Sequence, residues 1–166
     1  MVEEFMLLAN RSVAEMIGKV PRGKKAKVLP YRVHDVPDVE KMEKLSAFVA
    51  RFGYKVRTDG TKTEVSKSLN RLLEDVKGKH EEGVIELVAL RAMQKAYYSV
   101  HNIGHYGLMF QHYTHFTSPI RRYPDTMVHR LLKRYAEGGR SANANKYEDL
   151  CEHSSNMEQL ATNAER

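Results

Sequence analysis

A proline-containing polar turn stands directly before an apolar helical pattern in the segment Tyr113–Arg130, which reads YTHFTSPIRRYPDTMVHR. Ser118 is a favoured residue type at the start of a helix, and Pro119 suits the first helical position. The apolar residues that follow recur every three or four positions, and they are Met127, Val128, Leu131, Leu132 and Tyr135. The pattern therefore predicts a helix that begins near Ser118 and carries Arg121 in its first turn.

This predicted helix start has the features of an anion site. The first backbone N–H groups of a helix and its dipole favour a negative charge, and a guanidinium adds a planar fork for two phosphate oxygens. The sequence therefore predicts a phosphate contact for Arg121, whereas Arg122 is expected to point away, towards an internal carboxylate such as Asp125. The alternative interpretation is a solvated pair of arginines, because such residues are common at helix starts.

Several longer motifs accompany this turn. Residues 101–135 contain a GH-aromatic-GL motif, then YTHFTSPIRRYPD, then VHRLL, while EEFMLLAN lies upstream at Glu3–Asn10 and PYRVHDVPD at Pro30–Asp38. An A-E-R motif follows at Ala164–Arg166. In this order and spacing, the motifs resemble the carboxyl half of the catalytic domain of the ribonuclease II/ribonuclease R superfamily, the RNB domain, and most of all its bacterial ribonuclease R branch. The resemblance covers essentially all 166 residues.

The resemblance implies processive hydrolysis of RNA from a single-stranded 3′ end, with release of nucleoside 5′-monophosphates. Arg121 matches the family arginine that contacts the scissile phosphate and offsets charge in the transition state. Glu165 resembles a family glutamate that helps to seat the terminal nucleotide, so both residues are predicted to be catalytic. Glu4 matches a carboxylate that accepts a hydrogen bond from a ribose hydroxyl, with Glu3 as the alternative register.

Further RNA contacts are predicted in the Thr-Ser-Pro turn and in the aromatic segment that approaches it. Tyr113, His115 and Phe116 either stack on RNA bases or pack beneath the turn, and both interpretations stay open. The predicted RNA-binding residues are Glu4, Tyr113, Thr117, Ser118, Arg121 and Arg122.

The family's chemistry uses two Mg²⁺ ions, which need oxygen ligands held close together. The aspartates of this segment are isolated and lie in different predicted elements, at Asp35, Asp38, Asp59, Asp75, Asp125 and Asp149. The family's D-x-x-x-x-x-D-x-D-D cluster belongs upstream of the part represented here. We therefore expect no metal ligands in this segment, Mg²⁺ in the full-length enzyme, and no nuclease activity of the segment alone.

Composition agrees with an RNA partner without proving one. The chain has 27 Lys and Arg against 21 Asp and Glu, and its net charge is +6. The single cysteine, Cys151, excludes an internal disulfide and suits a reducing compartment. No apolar run approaches the ~20 residues that span a membrane. These features predict a soluble, cytoplasmic protein without a membrane partner.

The hydropathy pattern predicts an α+β fold that is predominantly helical, with a few short strands. After a first helix that already runs at Val2, helices are expected at Asp38–Phe52, Glu64–Val76 and Val84–Met93, and a last helix follows the flexible connection Gly138–Lys146. Short strands are expected at Val28–Val33, Tyr54–Val56, Ala96–Val100 and Tyr106–Phe110, the last two as a hairpin.

Helical spacing is under way at both ends of the chain, without a cap at the first helix or a glycine stop after the last. Residues 1–166 are therefore expected to be the C-terminal part of a single RNB catalytic domain, truncated at both ends. Apolar surface that neighbouring parts would cover is then expected to be exposed, and self-association through it is a possible consequence.

Two other classes of function stay open at this point. One is a noncatalytic RNA-binding or scaffold protein on the same fold, which would keep the basic surface and lack the upstream aspartates. The other is a helical DNA-binding module with Arg121–Tyr135 as its recognition helix. Against the second, Tyr123–Pro124 is expected to kink that helix, and its outward face lacks Asn and Gln to read bases.

Overall fold

The computed structural model describes residues 1–165, apart from the side chain of Lys62. Helices dominate this part of the chain, which confirms the predicted α+β, predominantly helical class. The elements are α1 (Val2–Gly18), β1 (Tyr31–Val33), α2 (Val39–Ala50), α3 (Lys62–Val76), α4 (Glu82–Ala92), β2 (Tyr97–Ser99), a short 3₁₀ helix (Tyr106–Leu108), α5 (Tyr123–Ala136) and α6 (Ala144–Ala164).

The chain forms two compact units. Asp35–Lys95 forms the three-helix unit, which contains α2, α3 and α4. The second unit consists of Met1–His34 together with the chain from Ala96 onward. It contains the predicted phosphate-binding turn at Thr117–Pro119 and is called here the loop-bearing unit.

The ends of α2 and α3 in the three-helix unit follow from local side-chain chemistry. The Asp38 carboxylate accepts a hydrogen bond from the N–H of Glu40 at 2.9 Å and so caps α2. Gly53 follows α2 with a φ of +83°, which a residue without a Cβ adopts at little cost. Thr61 and Glu64 form a reciprocal capping box at the start of α3. These caps place the helix boundaries close to the predicted ones.

The apolar faces of these three helices share one core. Leu45, Leu72 and Ile85 supply one fully buried side chain from each helix. The other buried members are Met42, Val49, Val56, Leu69, Val76, Ala89 and Ala92. The helical spacing seen in the sequence is therefore the spacing of the buried face.

The loop-bearing unit is organised around a two-stranded antiparallel sheet. Tyr31 pairs with Ser99 and Val33 with Tyr97 across β1 and β2. On the other side of β1, the N–H of Arg32 donates to the carbonyl of Tyr113 at 2.9 Å. The hydroxyl of Thr114 donates to the carbonyl of Pro30 at 2.6 Å. The segment that leads into the turn Thr117–Pro119 is thus hydrogen-bonded along the edge of the sheet.

The predicted hairpin of Ala96–Val100 with Tyr106–Phe110 is wrong. Its first strand exists as β2 but pairs with β1, and residues 106–108 form the 3₁₀ helix. The His105 ring accepts a hydrogen bond from the N–H of Leu108 at 3.2 Å and so caps that turn. Met109, in the left-handed region at φ 56°, then ends it.

The predicted strand Tyr54–Val56 is also wrong. Its backbone is extended, but helix side chains rather than a neighbouring strand bind it. The Ser46 hydroxyl donates to the carbonyl of Val56 at 3.3 Å, and the N–H of Arg57 donates to the Ser68 hydroxyl at 2.8 Å. These contacts satisfy the backbone groups that a sheet partner would otherwise bind.

Helix α1 exposes an apolar stripe. Its exposed members are Val2, Phe5, Leu8 and Met16. Exposed apolar surface was expected, whereas association through it stays a prediction. Among the described helices, none combines the length and the apolar character that crossing a membrane requires.

Two leucine-to-alanine substitutions test the core of the three-helix unit. Leu45 is fully buried, whereas Leu90 is 69% exposed. Leu45→Ala should lower the free energy of unfolding by about 3–5 kcal/mol, because it leaves a cavity. Leu90→Ala makes the same chemical change and should alter it by no more than about 0.5 kcal/mol. Urea unfolding followed by circular dichroism measures both, and equal effects would contradict the described core.

Candidate functional site

The candidate site is the segment Phe116–Arg122, called here the arginine loop. The prediction of a helix beginning near Ser118 is wrong, because α5 begins at Tyr123. A tight turn precedes α5, in which the N–H groups of Arg121 and Arg122 donate to the Ser118 carbonyl at 3.3 and 3.1 Å.

Pro124 explains this helix start. A helix running on from Ser118 would need an N–H at Pro124 to bond the carbonyl of Ile120, and proline has none. A proline is tolerated in the first turn, where an N–H has no helical partner in any case. The helix therefore starts at Tyr123, and Tyr123–Pro124 form its first turn rather than the predicted kink.

The side chain of Asn10 holds the beginning of the arginine loop from α1. Asn10 is 4% exposed. Its Oδ1 accepts hydrogen bonds from the N–H groups of Phe116 at 2.9 Å and Thr117 at 3.2 Å. Its Nδ2 donates to the Tyr113 hydroxyl at 3.2 Å. One side chain thus binds both the loop and the segment that leads into it.

The carboxylate of Asp125 holds the middle of the loop from α5. Asp125 has no exposed surface. Its Oδ2 accepts hydrogen bonds from the N–H of Ser118 at 2.8 Å and from Nη2 of Arg122 at 2.9 Å. Arg122 therefore points inward to Asp125, as the sequence predicted.

Helix α5 also binds carbonyl groups of the arginine loop. The Thr126 hydroxyl donates to the carbonyl of Pro119 at 3.0 Å. Nε2 of His129 donates to the carbonyl of Phe116 at 2.8 Å, and the His129 ring stacks on the Phe116 ring with centroids 4.1 Å apart. The loop is therefore bound through both its N–H and its carbonyl groups.

These contacts change the predicted anion site. The N–H of Ser118 binds the Asp125 carboxylate, and those of Arg121 and Arg122 bind the Ser118 carbonyl, so these groups are not the open helix-terminal donors that the sequence predicted. The group that faces solvent is the side chain of Arg121, which is exposed. Within the described residues, no ion pair or hydrogen bond occupies its guanidinium. A loop held by internal hydrogen bonds that presents an exposed guanidinium can bind a phosphate diester.

A family model described as the RNB domain matches residues 1–138 of the chain. The chain belongs to the RNB domain family. This confirms the resemblance drawn from the YTHFTSPIRRYPD motif and its neighbours.

Curated relatives agree with this assignment. Ribonuclease R 1 of Lactococcus lactis is 42% identical over 174 residues, which cover 100% of this chain and 20% of that protein. Ribonuclease R of Escherichia coli is 38% identical over 133 residues, which cover 80% of this chain and 16% of that protein. The chain thus spans about a fifth of the length of the curated relatives it matches.

Solved structures share the fold. Mycoplasma genitalium RNase R in complex with ribose-methylated single-stranded RNA superposes with a TM-score of 0.77 at 29% identity, over 99% of this chain and 26% of that one. Yeast Ssd1, a pseudonuclease, superposes with a TM-score of 0.75 at 27% identity, over 92% of this chain and 19% of that one. The fold of this chain is therefore similar to that of a ribonuclease and to that of a pseudonuclease.

Beneath the arginine loop of this RNB domain lies a cluster of aromatic and histidine rings. Tyr113 is 5% exposed, and its ring lies 5.4 Å from His105 and 5.8 Å from His115 between centroids. Nδ1 of His115 is 2.8 Å from the Tyr98 hydroxyl. Tyr113 is thus buried and packs against these rings, which agrees with the packing interpretation. Its contact with RNA stays a prediction.

Burial keeps two of these histidines neutral. Burial, together with the nearby guanidiniums of Arg122 and Arg32, lowers the pKa of His115 from 6.5 to about 3. Burial also lowers the pKa of His105 to about 4, together with the neighbouring His34. The cluster therefore adds no charge of its own near Arg121 at neutral pH.

Of the remaining predicted site residues, Glu4 and Glu165 lie outside this arrangement, whereas Thr117 and Ser118 belong to the loop. Glu4 is exposed in the first turn of α1, and Glu165 is exposed immediately after α6. Thr117 and Ser118 are half-buried in the loop itself. Within the described residues, no hydrogen bond joins Glu4 or Glu165 to the loop, so the structure leaves their roles as predictions.

No metal-binding group is assembled by the described residues: nowhere among them do three or more His, Cys, Asp or Glu side chains gather so as to hold an ion. Mg²⁺ prefers several oxygen ligands in octahedral geometry. The described carboxylates therefore form no such ligand set, and the Mg²⁺ ions that the resemblance implies for the full-length enzyme stay a prediction.

Sequence reasoning gave no structural role to Asn10, and it did not foresee that Asp125 binds Ser118. A usable signal for Asn10 was present, because it shares one helical face with Val13, Ala14 and Ile17. A polar residue on an apolar face needs a buried partner. No local sequence pattern indicates that this partner is the arginine loop, which lies more than 100 residues away in the sequence.

The low pKa of His115 predicts a specific pH dependence of stability. Between pH 6.5 and about 3 the folded protein binds fewer protons than the unfolded chain, so its free energy of unfolding falls as pH falls. Between pH 7 and 5 this histidine should account for a loss of about 2 kcal/mol. His115→Gln should remove that part of the loss in urea unfolding at the two pH values.

The exposed His153 supplies the control, as His153→Gln also replaces one histidine by glutamine. If the free energy of unfolding depends on pH equally in His115→Gln and in the unsubstituted protein, then burial does not lower the pKa of His115.

Proposed function

We propose that this chain is part of a processive 3′-to-5′ exoribonuclease that hydrolyses RNA to nucleoside 5′-monophosphates. The observation that carries the proposal is the exposed guanidinium of Arg121 on a loop bound internally by Asn10 and Asp125. Membership of the RNB family and similarity to ribonuclease R proteins support it. The similar structures of Mycoplasma genitalium RNase R in complex with single-stranded and with double-stranded RNA support RNA as the partner.

In this proposal Arg121 contacts the scissile phosphate. Negative charge builds on the phosphoryl oxygens during hydrolysis, and a guanidinium already in place stabilises it without reorganisation. A planar fork can bind two of those oxygens at once. The internal contacts of the loop matter because they fix the backbone on which this side chain stands.

The other predicted contacts complete the RNA side of the site. Glu4 accepts from a ribose hydroxyl near the 3′ end, and Glu165 helps to seat the terminal nucleotide. Thr117 and Ser118 border the RNA through the loop surface. Arg122 is bound to Asp125, so its role in RNA binding is to hold the loop rather than to take a phosphate itself.

Mg²⁺ ions supply water activation and leaving-group stabilisation in this class of reaction. Since the described carboxylates offer no ligand set for them, we place the Mg²⁺ ligands in a part of the enzyme outside this segment. A cytoplasmic location is proposed on the single buried cysteine, whose thiol has a pKa raised to about 12 by burial.

A noncatalytic RNA-binding protein on the same fold is the second candidate. The similarity to yeast Ssd1, a pseudonuclease, favours it. The two candidates share the loop and differ in whether RNA is cleaved. Cleavage of a 5′-labelled single-stranded RNA by the intact protein, with release of mononucleotides, supports the first, and binding without cleavage supports the second.

The 166-residue chain alone should not hydrolyse RNA, because its described residues gather no ligand set for Mg²⁺. We expect no release of nucleoside monophosphates from a labelled single-stranded RNA with Mg²⁺ or Mn²⁺ present. The Arg121→Ala variant of the same chain is the control for a contaminating nuclease. Mononucleotide release by the unsubstituted chain, absent in that variant, would overturn the placement of the metal ligands elsewhere.

Substitutions at the two arginines test the role of Arg121 in the intact enzyme. Arg121→Ala should lower kcat by about 10²–10³ and change RNA affinity only slightly, because the contact acts in the transition state. Arg121→Lys should recover part of the loss, since it keeps the charge without the fork. Single-turnover cleavage and equilibrium RNA binding measure the two effects separately.

Arg122→Ala is the matched comparison, because it removes the neighbouring guanidinium that binds Asp125. It should chiefly lower stability. Normal cleavage by RNA-saturated Arg121→Ala would mean that Arg121 is only a backbone-phosphate contact.

A further inference from the structure

The side chain of Asn10 lies on an otherwise apolar face of α1. Its helical neighbours Val13 and Ala14 are buried in a core cluster that also includes Val33 and Val128. A buried amide in such surroundings costs free energy unless its donors and acceptor find partners. Asn10 is therefore expected to bind a polar group that the fold has brought to this face.

All of the polar contacts recorded for Asn10 go to one region of the chain. Its Oδ1 accepts from the consecutive N–H groups of Phe116 and Thr117, and its Nδ2 donates to the Tyr113 hydroxyl. The side chain thus spans a five-residue stretch that ends four residues before Arg121. No contact of this kind is needed to form α1, whose own backbone is hydrogen-bonded within the helix.

The two amides at Phe116 and Thr117 have no strand or helix partner, as they lie in a loop. Without the Asn10 carbonyl they would lose their acceptor in a half-buried position, and the backbone would have to turn towards water. Asp125 holds only the next amide, that of Ser118. Asn10 and Asp125 therefore fix three successive amides from two different helices.

We infer that Asn10 is a positioning residue for RNA cleavage: it fixes the backbone of the arginine loop from α1 and so places the Arg121 guanidinium at the scissile phosphate. The inference rests on the proposed function of Arg121. A misplacement of a catalytic group by about 1 Å can lower a rate by about 10²-fold, so a loop released at Phe116 and Thr117 should cost activity while most RNA contacts persist.

A double-mutant cycle in the intact enzyme tests this inference. Asn10→Ala alone should lower the single-turnover rate at saturating RNA by about 10- to 100-fold, with RNA affinity changed little. In an Arg121→Ala background the same substitution should lower the rate no further, because the group that it positions is already absent. A loss of folded protein would instead lower the rate equally in both backgrounds, and that result would overturn the inference.

Asn10→Asp is the conservative variant. It keeps an acceptor for the two amides, and the Tyr113 hydroxyl can turn to donate to its second oxygen. Its rate should lie closer to the unsubstituted enzyme than that of Asn10→Ala. If Asn10→Ala does not fold, the cycle is carried out with Asn10→Asp: any loss that it causes must vanish in the Arg121→Ala background, and a loss that persists there overturns the inference.

Asn145→Ala is the matched control, because Asn145 is exposed on α6. It should leave the rate unchanged. The cycle also separates the two proposals: a normal rate for Arg121→Ala alone contradicts the catalytic role proposed for Arg121. A slow Arg121→Ala together with a normal Asn10→Ala contradicts only the positioning role of Asn10.

Discussion

A carboxylate with no exposed surface is costly to bury unless donors replace the water that it loses, and Asp125 offsets part of that cost through Oδ2, which accepts from the Ser118 N–H and the Arg122 guanidinium. Both donors belong to the arginine loop. The loop therefore has to close over the start of α5 for Oδ2 of this carboxylate to find its donors. Asn10 adds the same kind of constraint from α1, where a buried amide takes the two preceding backbone N–H groups.

These constraints give two adjacent arginines different surroundings. Arg122 is bound inward by Asp125, and Arg121, one residue earlier in the turn, is left exposed. The ring cluster below the loop stays uncharged, because burial lowers the pKa values of His105 and His115 far below neutrality. A single open guanidinium on a fixed backbone is the arrangement that transition-state stabilisation of a phosphate requires.

Much of the fold could be predicted from the sequence, because its signals are local. The helix expected at Asp38–Phe52 exists as α2, and the apolar spacing gave the buried face of the three-helix unit. The start of α5 was mispredicted because Ser118 and Pro119 carry a helix-start signal that Pro124, five residues later, overrides. The pairing of β2 with β1 and the contact of Asn10 with the arginine loop could not be predicted from local patterns, since both join residues far apart in sequence.

A crystal structure of the intact enzyme bound to an RNA with a non-hydrolysable terminal linkage tests the central claim most directly. Our account predicts that the guanidinium of Arg121 lies within hydrogen-bonding distance of the terminal phosphodiester, about 3 Å. It also predicts that the arginine loop keeps its hydrogen bonds to Asn10 and Asp125. A terminal phosphodiester bound by other residues, with Arg121 turned away or the loop released from Asn10 and Asp125, would contradict the account.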